Sequence, residues 1–365
     1  MPKNIVVLMD GTGNDVASDA TNVLRLAKML PENENQKFVY DPGIGTEGAP
    51  TRDLVGRRLL VTTIDLGFGS GVYDNVAAGY RAIIDRYEPG DRLYLFGFSR
   101  GAYVARALAG LISKVGILER GRDNLVPYAV KIYAAPTNIG ISKTFTKTFC
   151  DRSAEIRFLG IWDTVKSVFS VDLTTKRLTS VSLPRTFLNN SVAVVRHAVA
   201  IDERRRFFRP NLWSEGQSGE SGTDAKQVWF AGVHSDIGGG YPIKDNALSV
   251  LPLEWMVREA MKHGLMIDET RMARVLTSVA SSAAAAPHLA VMNDSLVGRW
   301  RYAEYLPKNG KLGPDGGGRT GWYLPKGEKR YIREGAYIHS SVIDRMAAGI
   351  GYAPGNLPKS YLVEE

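Results

Sequence analysis

Cysteine occurs once in 365 residues, at Cys150, so there is no internal disulfide framework and no thiolate zinc cluster. No run of 18 apolar residues appears, and Met1-Pro2-Lys3-Asn4 leads straight into a strand-like stretch, which argues against a transmembrane helix and a signal peptide. The expectation is a protein that is cytoplasmic as synthesised, with export left to a signal-independent system. Internal repeats, low-complexity linkers and tight metal-ligand spacings such as H-E-x-x-H are also missing, so no cofactor is expected. What is present is 44% hydrophobic and 23% charged, the balance of a globular chain with a large core. We expect a single domain over 1–365 with insertions. Lys and Arg outnumber Asp and Glu by 46 to 38, a net charge of +8 that suits peripheral contact with an anionic membrane. The basic clusters Arg57-Arg58 and Arg204-Arg205-Arg206 are short and lack interleaved aromatics in a known module, so nucleic acid is not an expected partner.

The most informative stretch runs from Asp91 to Leu111. β-Formers at Leu93 to Phe96 meet Gly97-Phe98-Ser99-Arg100-Gly101, and an Ala/Leu-rich helical pattern follows at once. Strand, sharp turn and helix with G-x-S-x-G at the turn is the nucleophile elbow: the serine stands at the tip, and the next amide, that of Arg100, supplies half of an oxyanion hole.

The rest of the chain alternates. Ile5 to Met9 reads as a strand buried on both faces, ending in Asp10-Gly11-Thr12-Gly13, a loop suited to giving the second oxyanion donor from Gly11 or Thr12. Thr21 to Leu30 is an amphipathic helix, and Lys37 to Tyr40 a strand. Gly43 to Gly48 matches G-x-G-x-x-G, but Ala49-Pro50 follows where a dinucleotide site needs a helix. Gly67 to Gly71 reads as a bend before a helix carrying Val76, Tyr80, Ile83 and Tyr87. Helical spacing returns over Val126 to Ala135, and Ile156 to Trp162 is a strand ending at Asp163. The aperiodic stretch 166–189 suggests an insertion, a candidate lid or cap. Asn190 to Ala200 reads as a helix, Gly216 to Thr223 as a loop, and Val228 to Val233 as a strand ending at His234. Leu248 to Met261 and Ser278 to Ala286 read as helices, and Ile338-His339-Ser340-Ser341-Val342 opens a last helical stretch. Apolar strands alternating with helices predict an α/β fold with a mostly parallel central sheet.

Serine needs an imidazole to take its proton, and that imidazole needs a carboxylate to fix its tautomer. Ser99, Asp163 and His234 follow the order serine, acid, histidine, each at the end of a later strand. His339 competes for the base, Asp236 and Asp202 for the acid; His197, His263 and His288 read as structural. An alternative is a metal-dependent hydrolase using Asp10, Asp163, His234 and Asp236. A second is a non-catalytic binding module on a hydrolase fold.

Asp10-Gly11-Thr12, Gly97 to Tyr103, Ile161-Trp162-Asp163-Thr164-Val165 and Gly232 to Tyr241 together resemble a family once known only as a domain of unknown function. It includes the catalytic domain of type VI secretion phospholipase effectors. Arg196-His197-Ala198 through Asp202-Glu203-Arg204 and His339-Ser340-Ser341-Val342 resemble its recurrent segments too. The resemblance implies an α/β-hydrolase fold and a serine esterase cleaving phospholipid or other lipid acyl esters, with Ser99, Asp163 and His234 as nucleophile, acid and base. It also brings in a secretion-apparatus component or an immunity protein as partners. No long apolar or amphipathic membrane-binding addition is visible in the sequence.

Overall fold

A computed structural model describes residues 2–11, 20–43, 69–135, 139–151, 154–165, 169–172, 177–180, 186, 189, 191–214, 222–281, 286–310 and 320–365. Its frame is a sheet of eight strands: β1 (Asn4–Met9), β2 (Gln36–Asp41), β3 (Arg92–Phe98), β4 (Glu155–Trp162), β5 (Val194–Ala200), β6 (Asp224–Phe230), β7 (Ala336–His339) and β8 (Tyr361–Glu364). They lie in the order β8-β7-β6-β5-β4-β3-β1-β2, and every pairing is parallel.

Parallel neighbours need crossovers, and helices supply them. These are α1 (Asn22–Met29), α2 (Gly69–Ile84), α3 (Arg100–Val115), α4 (Val126–Ala134), α5 (Ile139–Phe149), α6 (His234–Gly238), α7 (Val250–Lys262), α8 (Glu269–Ala280), α9 (Arg299–Ala303) and α10 (Ser340–Ala347). Because successive strand residues point to opposite faces, β1 sends Ile5, Val7 and Met9 into a core shared with α2, α3 and α4. Val6 and Leu8 enter a second core with α1 and α7. Burial on both faces explains why the strands read as unbroken apolar runs. This is an α/β-hydrolase-like architecture.

Several sequence expectations are corrected. Asn190 to Ala200 is not a helix: Val194–Ala200 is β5, fully buried between β4 and β6. Its Val-Val-Arg-His-Ala-Val-Ala favours the pleat through β-branching. Of the helix expected over Ser278 to Ala286, 278–280 form the end of α8, Glu269–Ala280, which Asp268 caps by accepting the Arg271 amide, and 282–285 lie outside the described residues. Gly69 to Gly71 form the first turn of α2 rather than a bend. Ile338 and His339 end β7, and the last helix starts at Ser340. The stretch 166–189 lies mostly outside the described residues; within it Phe169–Asp172 pairs antiparallel with Arg177–Ser180. Arg57-Arg58, Thr12 and most of Gly43 to Gly48 also fall outside them.

The register brings the site together. Met9 pairs with Gly97, Phe98 with Trp162, Trp162 with Ala198 and Ala200 with Phe230, so the carboxyl ends of β1, β3, β4, β5 and β6 share one edge. Ligands of parallel sheets gather at such an edge.

Candidate active site

Ser99 sits between the end of β3 and the start of α3 with φ 57° and ψ −118°. A positive φ is costly for a residue with a Cβ and persists only where the surroundings impose it. Here they do. A Cβ on Gly97 would come within 2.5 Å of the Gly101 carbonyl oxygen, and one on Gly101 within 2.1 Å of the Met9 carbonyl oxygen. The two glycines let α3 turn back against β3 and press on the end of β1, leaving the serine on the bend. Asp163, after β4, also has a positive φ of 38°. Of the three non-glycine residues in that region among those described, two are therefore at this site, the third being Lys326.

His234 opens α6 and reaches both. Its Nε2 is 2.9 Å from Ser99 Oγ, and its Nδ1 is 2.6 Å from Asp163 Oδ2. The consistent assignment has Nδ1–H donating to the carboxylate while Nε2 accepts from the serine hydroxyl. The ring is held between Phe98 and Phe208, at 4.7 and 4.8 Å between centroids. Its backbone N–H donates to Glu203 Oε2 at 3.2 Å. Glu203 is anchored in turn by Arg205 and Ser295. Burial pushes the His234 pKa below its ordinary value, and the hydrogen bond and charge of Asp163 only partly offset this.

Asp163 has a partner that sequence reasoning missed. Arg330, fully buried, donates through Nη1 to Oδ1 at 2.5 Å and through Nη2 to Oδ2 at 2.9 Å. The same guanidinium donates to the carbonyls of Ala200 and Phe208. The Ala200 amide of β5 adds a 3.0 Å bond to Oδ1. Burial alone would raise the Asp163 pKa, but Arg330 and His234 hold the carboxyl well below the usual range. Nothing in Gly-Glu-Lys-Arg-Tyr marks residue 330 as special. It becomes legible only when β5, misread as a helix, takes its place under Asp163.

The other candidates are engaged elsewhere. His339 Nδ1 bonds Ser341 Oγ at 2.8 Å while its ring stacks on Phe230 at 4.4 Å, capping α10; burial lowers its pKa to about 4. Asp236 accepts from the Val233 amide and from Asn293 Nδ2, and burial raises its pKa to about 6. Asp202 accepts from the Gly232 amide and the Tyr352 hydroxyl. Asp10 accepts from the Gly11 amide at 2.6 Å, Thr21 Oγ1 at 2.5 Å and the Tyr40 hydroxyl at 2.7 Å. The Gly11 N–H is thus directed at its neighbour's carboxylate. Among the described residues, no three His, Cys, Asp or Glu side chains converge as metal ligands do, including the set Asp10, Asp163, His234 and Asp236. His197 lies inside β5, with Nε2 accepting from the Thr164 amide at 3.3 Å and Nδ1 facing Gln227 at 3.2 Å; burial, aided by Arg106, lowers its pKa to about 3. It braces the turn that carries Asp163.

The family model described as "T6SS, Phospholipase effector Tle1-like, catalytic domain" matches residues 3–259. The chain belongs to this family. The matched stretch carries Ser99, Asp163 and His234, whereas Arg330 and the last two strands of this Tle1-like domain lie beyond it. The chain is 36% identical over 225 residues to the uncharacterized protein YEL023C of Saccharomyces cerevisiae, a match covering 57% of this chain and 32% of that protein. It therefore spans about a third of that relative's length. Among solved structures, an uncharacterized protein from Pseudomonas aeruginosa aligns over 76% of this chain and 48% of its own, with TM-score 0.43 and 21% identity. The Tle1 effector bound to the VgrG spike of the type 6 secretion system aligns over 67% and 52%, with TM-score 0.37 and 20% identity. No helix among the described residues is long and apolar enough to cross a membrane.

Proposed function

We propose that this chain is a serine carboxylester hydrolase that cleaves lipid acyl esters through an acyl-enzyme on Ser99. The observation that carries the reading is the unbroken relay from Ser99 Oγ to His234 Nε2 at 2.9 Å and from Nδ1 to Asp163 at 2.6 Å. Membership in a phospholipase effector family supplies the substrate class.

In the first half-reaction Ser99 Oγ attacks the ester carbonyl carbon as its proton passes to His234 Nε2. The imidazolium is stabilised by Asp163, which Arg330 keeps ionised and fixed. The carbonyl oxygen becomes an oxyanion facing the amide of Arg100 at the start of α3; of the two other expected donors, the Gly11 amide is taken by Asp10 and Thr12 lies outside the described residues. Collapse of the intermediate expels the alcohol, which takes the proton from Nε2. Water then attacks the acyl-enzyme, giving its proton to Nε2, and the second collapse returns that proton to Ser99 while releasing the fatty acid. An anionic membrane, a secretion-apparatus component and an immunity protein are the partners this role would bring.

The test compares wild type with Ser99→Ala on p-nitrophenyl esters of increasing chain length and on intact phospholipids, alongside labelling by a fluorophosphonate probe. Wild type should be labelled and turn over long-chain or phospholipid esters, and the variant should lose on the order of 10⁴-fold or more in kcat. Unchanged turnover in the variant would sink the proposal.

A further inference from the structure

From a surface patch beside this site we infer that the chain docks on an anionic phospholipid bilayer through the turn after α9 and the strand segment 321–324; this rests on the lipid-ester reading above and names the surface that delivers the substrate. Tyr302, Tyr305, Leu306, Trp322 and Leu324 are all exposed, Tyr302 and Trp322 by 78% and 75%. Large apolar side chains exposed on neighbouring segments are unusual for a surface in contact with water alone.

The two segments form one patch. Lys326 N–H donates to the Glu304 carbonyl at 3.1 Å and Gly327 N–H to the Glu304 carboxylate at 3.2 Å, while Trp322 pairs with Asn309 in a short antiparallel ladder. Arg206 ties the turn down by donating to the carbonyls of Ala303 and Leu306. A search for one long amphipathic helix misses such a surface, because it is assembled from pieces separated in sequence.

Charge selects the partner. Over 297–331 the exposed charged side chains, among those described, are Arg299, Arg301, Lys326 and Lys329. Glu304 is buried, and Glu328 is half-buried in a pair with Arg209. Exposed Tyr and Trp rings with exposed cations close by in the chain match the headgroup region of an anionic leaflet, where rings sit at the interface and each cation adds attraction. The patch also adjoins the chemistry: Trp300 in α9 meets Phe208 at 5.5 Å, and Phe208 meets His234 at 4.8 Å. A bilayer seated on it lies next to the catalytic imidazole.

The experiment uses full-length protein carrying Ser99→Ala, so that binding is read without hydrolysis. Sedimentation with phosphatidylglycerol–phosphatidylcholine vesicles is compared with pure phosphatidylcholine. Strong partitioning to the anionic vesicles is expected, reduced about tenfold by Tyr302→Ser with Trp322→Ser. Arg301→Ser with Lys326→Ser should reduce it about twentyfold there and little on phosphatidylcholine. Tyr128→Ser, an exposed tyrosine on α4, serves as control and should change nothing. The cation pair keeps the test open if the aromatic pair fails to fold by circular dichroism. Absence of vesicle binding, equal loss in the control, or patch variants that dissociate an oligomer while binding vesicles normally would overturn the proposal. None of these outcomes depends on Ser99 being the nucleophile, so docking and catalysis can fail separately.

Discussion

Replacing Arg330 with Met should disable the site from a position that touches no substrate. Arg330 and Asp163 are both 0% exposed and joined by two hydrogen bonds. Removing one partner of such a pair strands the other charge in low dielectric, at a cost of about 3–5 kcal/mol. The carbonyls of Ala200 and Phe208 would lose a donor as well. Against a typical total stability of about 5–15 kcal/mol, that is a large share. The sign of the pH effect follows from Asp163, whose folded pKa is depressed. Its contribution is complete above the unfolded carboxylate pKa and is lost as pH falls below it, through the lower folded value. Without Arg330 the carboxyl titrates higher, so acid unfolding should begin at higher pH. The assay is urea unfolding of wild type, Arg330→Met, Asp163→Asn and the double variant, with Arg330→Lys as a milder substitution that keeps the charge but not the fork. Because each single change leaves an uncompensated buried charge and the double change leaves no such charge, the double variant should be more stable than the sum of the single losses by about 2 kcal/mol or more. Strict additivity, or an Arg330→Met protein as stable as wild type, would refute the reasoning.

Catalysis offers independent readings. Under the proposed mechanism only neutral His234 accepts the serine proton, and burial lowers its pKa, so the acid limb of kcat/KM on a soluble ester should have its midpoint below about 6.5, the ordinary histidine value. A midpoint at or above that value would contradict it. In Arg330→Met, where the Asp163 charge is less compensated, the same limb should move to higher pH, a shift that a purely structural loss would not produce. Gly101→Ala places a methyl carbon 2.1 Å from the Met9 carbonyl oxygen, so backbone must move. It should lower stability by about 2–4 kcal/mol in thermal unfolding and depress kcat, and wild-type behaviour would refute the packing argument.

What was legible in the sequence, and what was not, divides along physical lines. Local signals carried β1, β3, β4 and the serine turn, because apolar runs bounded by glycine are decided within a few residues. Val194–Ala200 failed because its alanines and arginine also suit a helix, so the strand preference of its valines was outweighed until burial between two strands decided the outcome. That one error hid the rest: without β5, Asp163 and His234 seem to lie on adjacent strands. In fact β5 stands between them and supplies the Ala200 amide to Asp163. Arg330 was invisible for a related reason, since its partners lie 122 to 167 residues away.

Asp10 shows how contacts separate roles that sequence leaves together. Read along the chain, it serves as a metal ligand or as part of the loop offered for the oxyanion. In the fold its carboxylate takes hydrogen bonds from Gly11, Thr21 and Tyr40, the residues that follow β1, cap α1 and line β2. An ionised carboxylate offers only acceptors, and three donors converging on it fix its position. Burial and the Asp10 charge together push the Tyr40 hydroxyl well above its ordinary pKa, so it stays a donor. The backbone of Met9 and Asp10 is meanwhile clamped against Gly101, one residue beyond the amide offered to the oxyanion. Asp10 therefore holds the end of β1 against the serine turn, and under the proposed mechanism it is through this strand end that any second oxyanion donor would be positioned.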